Sequence, residues 1–257
     1  MAGRSVPLPM NEPTPISTPT FTVLSYNVHS CIGTDRKLDV KRVADVIAES
    51  AADIVLLQEL DVGRKRTGGT DQAAEIASHL RMDPHFHPAL HLEEEKYGDA
   101  IMTALPSQHK RSAGIPSWGE PRGAIWVQVS VAGQPVNIVN THLGLRRGER
   151  MAQTLELLGK GWLGHPEQME TPTIFGGDLN AVPSSAVFKV LRDRLGSDRR
   201  AGRLRPTFPS RFPLLRLDHL FCNAHVEIID IDVLATPLAV KASDHLPLLG
   251  TFRLRQG

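Results

Sequence analysis

The chain has 257 residues, of which 41% are hydrophobic and 22% are charged. This is the composition of a soluble globular protein rather than of a disordered or fibrous one. Lysine and arginine number 29 against 28 aspartates and glutamates, so no overall positive field attracts nucleic acid or an anionic membrane, and any such attraction is local. The two cysteines, Cys31 and Cys222, are too few for a disulfide framework or a cysteine-built zinc site, although one bridge is conceivable.

The first twenty residues differ in composition from the rest of the chain. Residues 1–20 carry prolines among Ser, Thr and Asn, which predicts a flexible arm, because such a segment buries too little apolar surface to offset its ordering entropy. They lack the layout of a secretion signal, and no apolar run in the chain reaches the ~20 residues that span a bilayer. A cytoplasmic protein is therefore expected, with residues 21–257 as a single domain.

From Phe21 the chain alternates short β-rich runs with helical patterns. The segments FTVLSYNV, KRVADVIAES, DIVLLQEL and DQAAEIASHL predict strand, helix, strand and helix. The same criteria predict helices at Glu149–Gly161 and Ser185–Leu195, and strands at Ala100–Ala104, Ala124–Val131, Val136–Thr141, Thr173–Gly176, Leu217–Cys222, Val226–Val233 and Leu246–Arg253.

The tight turn between residues 131 and 135 joins two of these strands as a hairpin. A doubly wound, all-parallel sheet contains no such hairpin, so the sheets are expected to be mixed or antiparallel. We predict one α/β domain made of two packed mixed β-sheets with helices on the outer faces.

Polar side chains recur where the apolar strands end. They are Asn27, His29, Glu59, His142, Asp178, Asn180, Asp218, Asp244 and His245. Each alone has an ordinary reading, as a turn former, a helix cap, a solvated charge or a core histidine. The repetition favours a shared site, because strand ends hold side chains rigidly at the edge of a core.

The residue types of this set indicate its chemistry. Carboxylates with an amide and no cysteine favour a hard cation such as Mg²⁺ or Mn²⁺. Zinc competes, because His29, His142 and His245 are present, but no His-x-x-x-His spacing supports it. Histidines beside carboxylates supply hydrogen bonds that follow charge onto a phosphoryl oxygen. The set therefore suits phosphoryl transfer.

Seven segments in one order, SYNVHS, LLQELD, GDAIMT, VNTHLGL, GGDLNAVP, RLDHLF and ASDHLPL, resemble the endonuclease/exonuclease/phosphatase superfamily, which includes deoxyribonuclease I. The resemblance covers about residues 21–253. It implies a four-layer α/β sandwich, with the site where the loops of the two sheets meet, and divalent-metal-dependent cleavage of phosphate esters.

The resemblance also implies roles for individual residues. Glu59 matches the principal metal-ligand glutamate, with Asn27 and Asp244 as the other residues near the metal. Asp178 and Asn180 match the aspartate and asparagine that activate and orient the attacking water.

Three further positions match residues that face the phosphate or support one that does. His245 matches the histidine on the scissile phosphate, Asp218 the aspartate that pairs with it, and His142 a position held by histidine or tyrosine. Two positions depart from the pattern of relatives. His29 replaces an acidic residue, so a metal contact and a phosphate-facing imidazole are equal alternatives. Asp99 replaces an asparagine, and its carboxylate either disfavours a substrate phosphate or adds a metal ligand.

Basic residues follow or precede several of these strand ends, and a charged rim that holds the phosphate-ester substrate competes with a merely solvated surface. The candidates are Arg64, Lys65, Arg66, Arg122, Arg146, Arg147, Arg211 and Arg216. Only 5% of the residues are aromatic, so base stacking is poorly supported and nucleic acid is a substrate that the charge does not favour.

The sequence therefore predicts a magnesium- or manganese-dependent phosphodiesterase, acting on nucleic acid, a lipid headgroup or a small phosphodiester. A phosphomonoesterase of the inositol-phosphatase type is the main alternative. A metal-binding module without turnover is a weaker one, because such a module has no need of Asp178 or His245.

Overall fold

The computed structural model describes residues 19–196 and 205–255. Residues 1–18 of the predicted arm lie outside this range, and the first strand already begins at Thr20. Cys31 and Cys222 are both buried as free thiols. Within the described ranges, no helix has the length and apolar character needed to cross a membrane.

One sheet has six strands, in the order β10-β11-β1-β2-β4-β3. Strands β1 and β2 run parallel, and the other neighbours are antiparallel. The strands are β1 Thr20–Asn27, β2 Ile54–Val62, β3 Asp83–Leu92, β4 Glu95–Thr103, β10 Val226–Val233 and β11 Leu248–Leu254.

The second sheet has five strands, in the order β5-β6-β7-β8-β9. Only β7 and β8 run parallel in it. The strands are β5 Ser107–Ile115, β6 Arg122–Val131, β7 Gln134–His142, β8 Thr173–Asp178 and β9 Asp218–Cys222. Both sheets are mixed, as the hairpin and the alternating segments predicted.

Adjacent residues of the second sheet enter two different hydrophobic clusters, because successive side chains on a strand point to opposite faces. Ile138 and Ile174 join the cluster that also holds Leu24 and Leu56 of the first sheet. Their neighbours Val139 and Phe175, by contrast, pack with residues of the outer helices. The result is the predicted α/β sandwich, with two sheets face to face and helices outside.

Six helices complete the described fold: α1 Val40–Ser50, α2 Gln72–Leu80, α3 Arg147–Leu157, α4 Pro166–Glu170, α5 Ala186–Leu195 and α6 Pro237–Ala242. Asp39, Asp71 and Ser185 accept backbone hydrogen bonds at the starts of α1, α2 and α5, which fixes where these helices begin.

The sequence pattern missed two strands, β3 and β5, and two short helices, α4 and α6. Both strands lie at sheet edges, where one side of the backbone needs no partner and the alternation of apolar residues is weak. Strand β3 also contains Pro84 and Pro88, and its register shifts between Pro88 and Leu90. Proline is tolerated at an edge or a bulge but argues against a central strand.

The strand directions bring the predicted polar ends to one place. In the second sheet His142 pairs with Asp178, and Asp178 pairs with Asp218. In the first sheet Asn27 pairs with Gln58, the residue before Glu59. Hydrogen bonds then link the two sheets at this edge, from Asn27 on β1 to Asp178 on β8.

Candidate active site

Two carboxylates from different sheets meet at the amide of Asn27. The amide nitrogen donates to Oε1 of Glu59 at 2.9 Å and to Oδ2 of Asp178 at 3.0 Å. The side-chain oxygen of Asn27 faces away from them and accepts from the backbone N–H of His29 at 3.0 Å. Asn27 therefore holds the carboxylates by donation, whereas the resemblance assigned it to the metal.

An irregularity in β2 aims Glu59 at this point. The register between β2 and β4 shifts between Leu57 and Leu60, and Glu59 adopts a positive φ of 64°. A bulge turns a side chain out of the regular alternation, and a left-handed backbone at a residue other than glycine is costly to hold. The irregular backbone of β2 at Glu59 therefore directs this carboxylate into the cleft.

Asp178 is the most connected carboxylate of the site. Its side chain is buried, and Oδ1 accepts from the backbone N–H of Asn180 at 2.8 Å. Oδ2 lies 3.4 Å from Nε2 of His142 and 3.6 Å from Nε2 of His245. The carboxylate is thus fixed between an asparagine turn and two imidazoles.

His245 lies between two aspartates. Its Nδ1 is 2.9 Å from Oδ2 of Asp218, opposite the Asp178 contact of Nε2. Thr207 also donates to Oδ2 of Asp218, at 2.5 Å. Burial disfavours charge on His245, but Asp218 and Asp178 outweigh that effect and raise its pKa to about 10. The imidazole is therefore a cation at neutral pH.

His142 has the opposite character. Burial lowers its pKa to about 3, and the Arg122 and His245 charges act in the same direction. Nη1 of Arg122 donates to Nδ1 of His142 at 2.8 Å. Because a guanidinium can only donate, Nδ1 is the acceptor nitrogen, and the neutral ring carries its proton on Nε2, toward Asp178.

Two carboxyl groups in and behind the site have a pKa above the usual value. Burial raises the pKa of Glu59, and the nearby Asp178 and Asp244 charges add to the effect, while the Asn27 hydrogen bond opposes it. Burial likewise raises the pKa of Asp99 to about 7. Such crowding of buried carboxylates is typical of sites that hold a cation.

These groups surround a cleft of about 470 Å³. Glu59, His142, Asp178, Asn180 and His245 line it, together with His29, Tyr97, Glu120, Arg122 and Phe208 among others. Asn27 and Asp218 lie behind the lining and reach it through the carboxylate and imidazole that they contact. The structure thus brings together the residues that the sequence assigned to catalysis.

The remaining predicted residues fall in different places. His29 is exposed on the cleft wall, 3.8 Å from Asp244, whose side chain is 38% exposed. Asp99 is buried on β4 opposite the β2 bulge, and it is not among the residues that line the described cleft. Arg146 is exposed at the start of α3 and is not among the described lining residues either.

The predicted basic rim is only partly a substrate-facing surface. Arg66 lines the cleft, but its guanidinium pairs with the fully buried Asp61 and stacks over the Tyr97 ring at 5.4 Å. Arg64 pairs with Glu95 at 3.4 Å. Tyr97, Thr207 and Phe208 are site residues that sequence reasoning missed, because nothing in their local pattern separates them from packing residues.

The donor set fits a hard divalent cation. Glu59 and Asp178 bring carboxylate oxygens to one amide, and Asp244 lies on the same side beyond His29. Asp178, Asp218 and His245 also lie close enough to share an ion, within 4.8 Å. We assign that second group to an aspartate–histidine chain, because Nδ1 of His245 is hydrogen-bonded to the same Asp218 oxygen that accepts from Thr207.

Comparison with known proteins agrees with this geometry. A model of the Endonuclease/Exonuclease/phosphatase family matches residues 24–245. The uncharacterized protein YbhP of Escherichia coli is 28% identical over 91% of this chain and 97% of its own length.

Two solved structures share the fold. The catalytic domain of human Nocturnin, with a bound sulfate anion, superposes with a TM-score of 0.67 at 22% identity, over 93% of this chain and 96% of that one. A mannosyl-6-phosphatase from Bacteroides thetaiotaomicron gives a TM-score of 0.70 at 17% identity, over 90% and 99%. Family members are hydrolases of phosphodiesters and other phosphate esters, and they generally use divalent metals. The chain belongs to the endonuclease/exonuclease/phosphatase family.

Proposed function

We propose that this protein is a divalent-metal-dependent phosphodiesterase that cleaves its substrate by attack of water on phosphorus. The observation that carries the proposal is the position of Asp178, a buried carboxylate held by an asparagine turn and flanked by a neutral and a cationic imidazole. A general base needs to be oriented and within hydrogen-bond reach of the proton that it takes, and these contacts fix the Asp178 carboxylate at the cleft wall.

Asp178 takes the proton of the attacking water. Its Oδ1 is fixed by the backbone of Asn180, so the carboxylate cannot turn away from the cleft. The side-chain amide of Asn180 lies 3.0 Å from His142 and donates to the carbonyl of Leu143 at 2.9 Å. Asn180 therefore lies beside both the base and the neighbouring imidazole, held by its bond to Leu143, and is placed to orient the water between them.

The imidazoles and Arg122 stabilise the charge that develops on the phosphoryl oxygens. His245 is protonated at neutral pH and donates from Nε2, while Asp218 holds its other nitrogen. Arg122 supplies a second positive charge at the cleft wall beside His142. Preorganised donors of this kind, aimed where negative charge develops, are usually the largest single contribution to catalysis.

Glu59, with Asp244, would hold the Mg²⁺ or Mn²⁺ ion, and Asn27 would orient the Glu59 carboxylate beside it. When bound, the ion supplies Lewis-acid polarisation of the phosphoryl oxygen and stabilises the leaving oxyanion. Among the residues that the structure describes, the Glu59 carboxylate accepts from the Asn27 amide and forms no hydrogen bond with Lys or Arg, which leaves it available to a metal.

A phosphomonoesterase is the second candidate, because the fold is shared with a mannosyl-6-phosphatase. The discriminating experiment compares turnover of bis(p-nitrophenyl) phosphate with that of p-nitrophenyl phosphate under Mg²⁺, Mn²⁺ and EDTA. We expect diester hydrolysis with either metal and none with EDTA. The Asp178→Asn variant serves as the control for contaminating activity. Preference for the monoester would replace the first proposal by the second, and turnover insensitive to EDTA would remove the metal from both.

A further inference from the structure

An apolar loop stands beside the catalytic cleft. Phe212 and Leu214, each 77% exposed, have the highest exposure among the large hydrophobic side chains that the structure describes. They occupy the tip of a small hairpin, residues 208–215, closed by paired backbone hydrogen bonds between Phe208 and Leu215. Large apolar side chains in such a position usually mark an interaction surface.

The loop is braced, so its tip is held out rather than left loose. The backbone N–H of Ser210 donates to the carbonyl of Asp244 at 2.7 Å, and its hydroxyl donates to the carbonyl of Ser243 at 2.7 Å. The backbone N–H of Phe212 bonds to the carbonyl of Pro209 at 3.1 Å. The two Ser210 bonds tie the loop to the segment that carries His245, and the Phe212 bond orders its turn.

The base of the loop belongs to the active site. The Phe208 ring packs on the His245 imidazole with 4.8 Å between ring centroids, and Phe208 lines the cleft. Leu217, just beyond the loop, lines it too. The exposed tip is therefore fixed in position relative to the catalytic imidazole by a short, ordered piece of backbone.

A second pair of exposed apolar side chains lies on the other side of β8, the strand that carries Asp178. Leu145 is 73% exposed and lines the cleft, and Trp118 is 57% exposed. Leu145 follows β7 and Trp118 precedes β6, on one side of β8. The apolar loop precedes β9, on the other side of β8. Apolar groups thus flank the mouth of a polar cleft on both sides.

Cationic side chains accompany both apolar pairs. Arg211 is exposed and donates to the carbonyl of Thr34 at 2.8 Å, which places the loop beside the turn carrying exposed Arg36 and Lys37. The carboxylate in that turn, Asp35, is already paired with Arg42 at 3.0 Å. Arg146 and Arg147 follow Leu145 and are exposed. Since the whole chain carries a net charge of only +1, these cations are a local concentration of positive charge.

The apolar pairs Phe212 with Leu214 and Trp118 with Leu145, together with their cationic neighbours, are called the docking rim. We propose that the docking rim binds an anionic phospholipid surface and that the substrate is a phosphodiester of a lipid headgroup. The inference rests on the proposed phosphodiesterase activity. Amphipathic helices with basic residues bury their apolar face roughly 5–10 Å into the headgroup region. Here exposed apolar side chains with basic neighbours likewise lie on two sides of the mouth of the polar cleft. A headgroup phosphodiester would then face Asp178 without leaving the membrane interface.

The docking rim fits a lipid surface better than it fits a protein partner or single-stranded nucleic acid. The apolar side chains form two separated pairs around a polar opening, whereas a protein interface has a contiguous apolar core with a polar rim. Single-stranded nucleic acid requires a basic groove with a series of stacking aromatics, and the tip offers one phenylalanine between Arg211 and Pro213.

The experiment measures co-sedimentation of the full chain with vesicles of phosphatidylglycerol and with vesicles of phosphatidylcholine. The test variant is the double substitution Phe212→Ser and Leu214→Ser. The matched control is Leu92→Ser, which removes a side chain of 58% exposure next to the β3–β4 turn. Thermal unfolding of each protein establishes that the variants are folded, and wild-type turnover of bis(p-nitrophenyl) phosphate tests the catalytic proposal separately.

We expect the wild type and the Leu92→Ser protein to bind phosphatidylglycerol vesicles, with binding that weakens as salt is added. The double variant should lose at least about tenfold in its partition constant, because two large apolar groups no longer enter the interface. We also expect hydrolysis of phosphatidylglycerol within those vesicles.

Equal binding by the double variant would overturn the inference, as would failure of the wild type to sediment. A concentration-dependent dimer that the double variant lacks would assign the tip to a second copy of this chain. Retention of a single-stranded oligonucleotide that depends on Phe212 would assign it to nucleic acid. Vesicle binding without any diester turnover would refute the proposed function and leave the docking surface in place.

Discussion

Asn140 joins the two sheets directly behind the catalytic cleft, and its replacement by aspartate tests that connection. Its amide nitrogen donates to the carbonyls of Leu57 and Ala100, both at 2.9 Å, and its oxygen accepts from Gln58 at 2.8 Å. Leu57 and Ala100 are the last regular pair before the bulge that delivers Glu59. Asn140→Asp keeps the shape of the side chain and removes both N–H donors.

Two buried carbonyls then face an acceptor instead of a donor. An unsatisfied buried group costs about 1–3 kcal/mol, so for the two carbonyls the free energy of unfolding should fall by about 2–6 kcal/mol, a large part of the 5–15 kcal/mol typical of a domain. We expect the deficit to shrink as the pH falls, because burial raises the pKa of the introduced carboxyl and its protonated form restores one donor. Turnover of the diester should fall as well, since the bulge loses its support.

Asn137 provides a matched control on the same strand. Its oxygen accepts from Trp126 at 3.0 Å and from Gln128 at 3.2 Å, and its nitrogen makes one donation, to the carbonyl of Glu167 at 3.2 Å. Asn137→Asp retains the two accepted bonds and should cost clearly less. Urea unfolding at pH 7 measures both variants. A loss below about 0.5 kcal/mol for Asn140→Asp, or equal losses for the two variants, would refute the reasoning.

Three further predictions concern two site residues and His219, a buried residue of β9 whose Nε2 lies 2.6 Å from the carbonyl oxygen of Ala181. Asp178→Asn should lower kcat for bis(p-nitrophenyl) phosphate at least ~100-fold, because the base is lost; a loss below about tenfold would contradict its role. Glu59→Gln should raise the Mg²⁺ concentration needed for half-maximal turnover, measured by metal titration of EDTA-treated protein, because the site loses a charged ligand; an unchanged midpoint would argue against a metal at Glu59. Burial, reinforced by Arg216, lowers the pKa of His219 to about 3, so below about pH 6.5 the unfolded chain binds a proton that the folded one does not. This group should therefore lower the free energy of unfolding by about 1.4 kcal/mol for each pH unit between about pH 6.5 and pH 3. In urea unfolding measured across this range, His219→Leu should remove that contribution to the pH dependence. An unchanged pH dependence would contradict the buried neutral state of His219.

The sequence by itself determined the class of fold and the composition of the site. The central strands β1, β2, β6, β7 and β8 are apolar on both faces, because each is covered on both sides, and such runs are legible without a structure. Polar side chains at the ends of such strands are conspicuous for the same reason. The sequence alone therefore predicts Asn27, Glu59, His142 and Asp178 as site residues.

Only the tertiary structure shows that β3 and β5 are strands and which side chains lie behind the site rather than in it. Strands β3 and β5 carry polar residues and, in β3, prolines, because an edge makes fewer demands on each residue. The sequence leaves open whether the Asp99 carboxylate faces a substrate phosphate or a metal, and the structure buries it opposite the β2 bulge, outside the described cleft lining. Whether a carboxylate faces the substrate or supports another group depends on strand register, and register follows from the packing of both sheets rather than from local sequence.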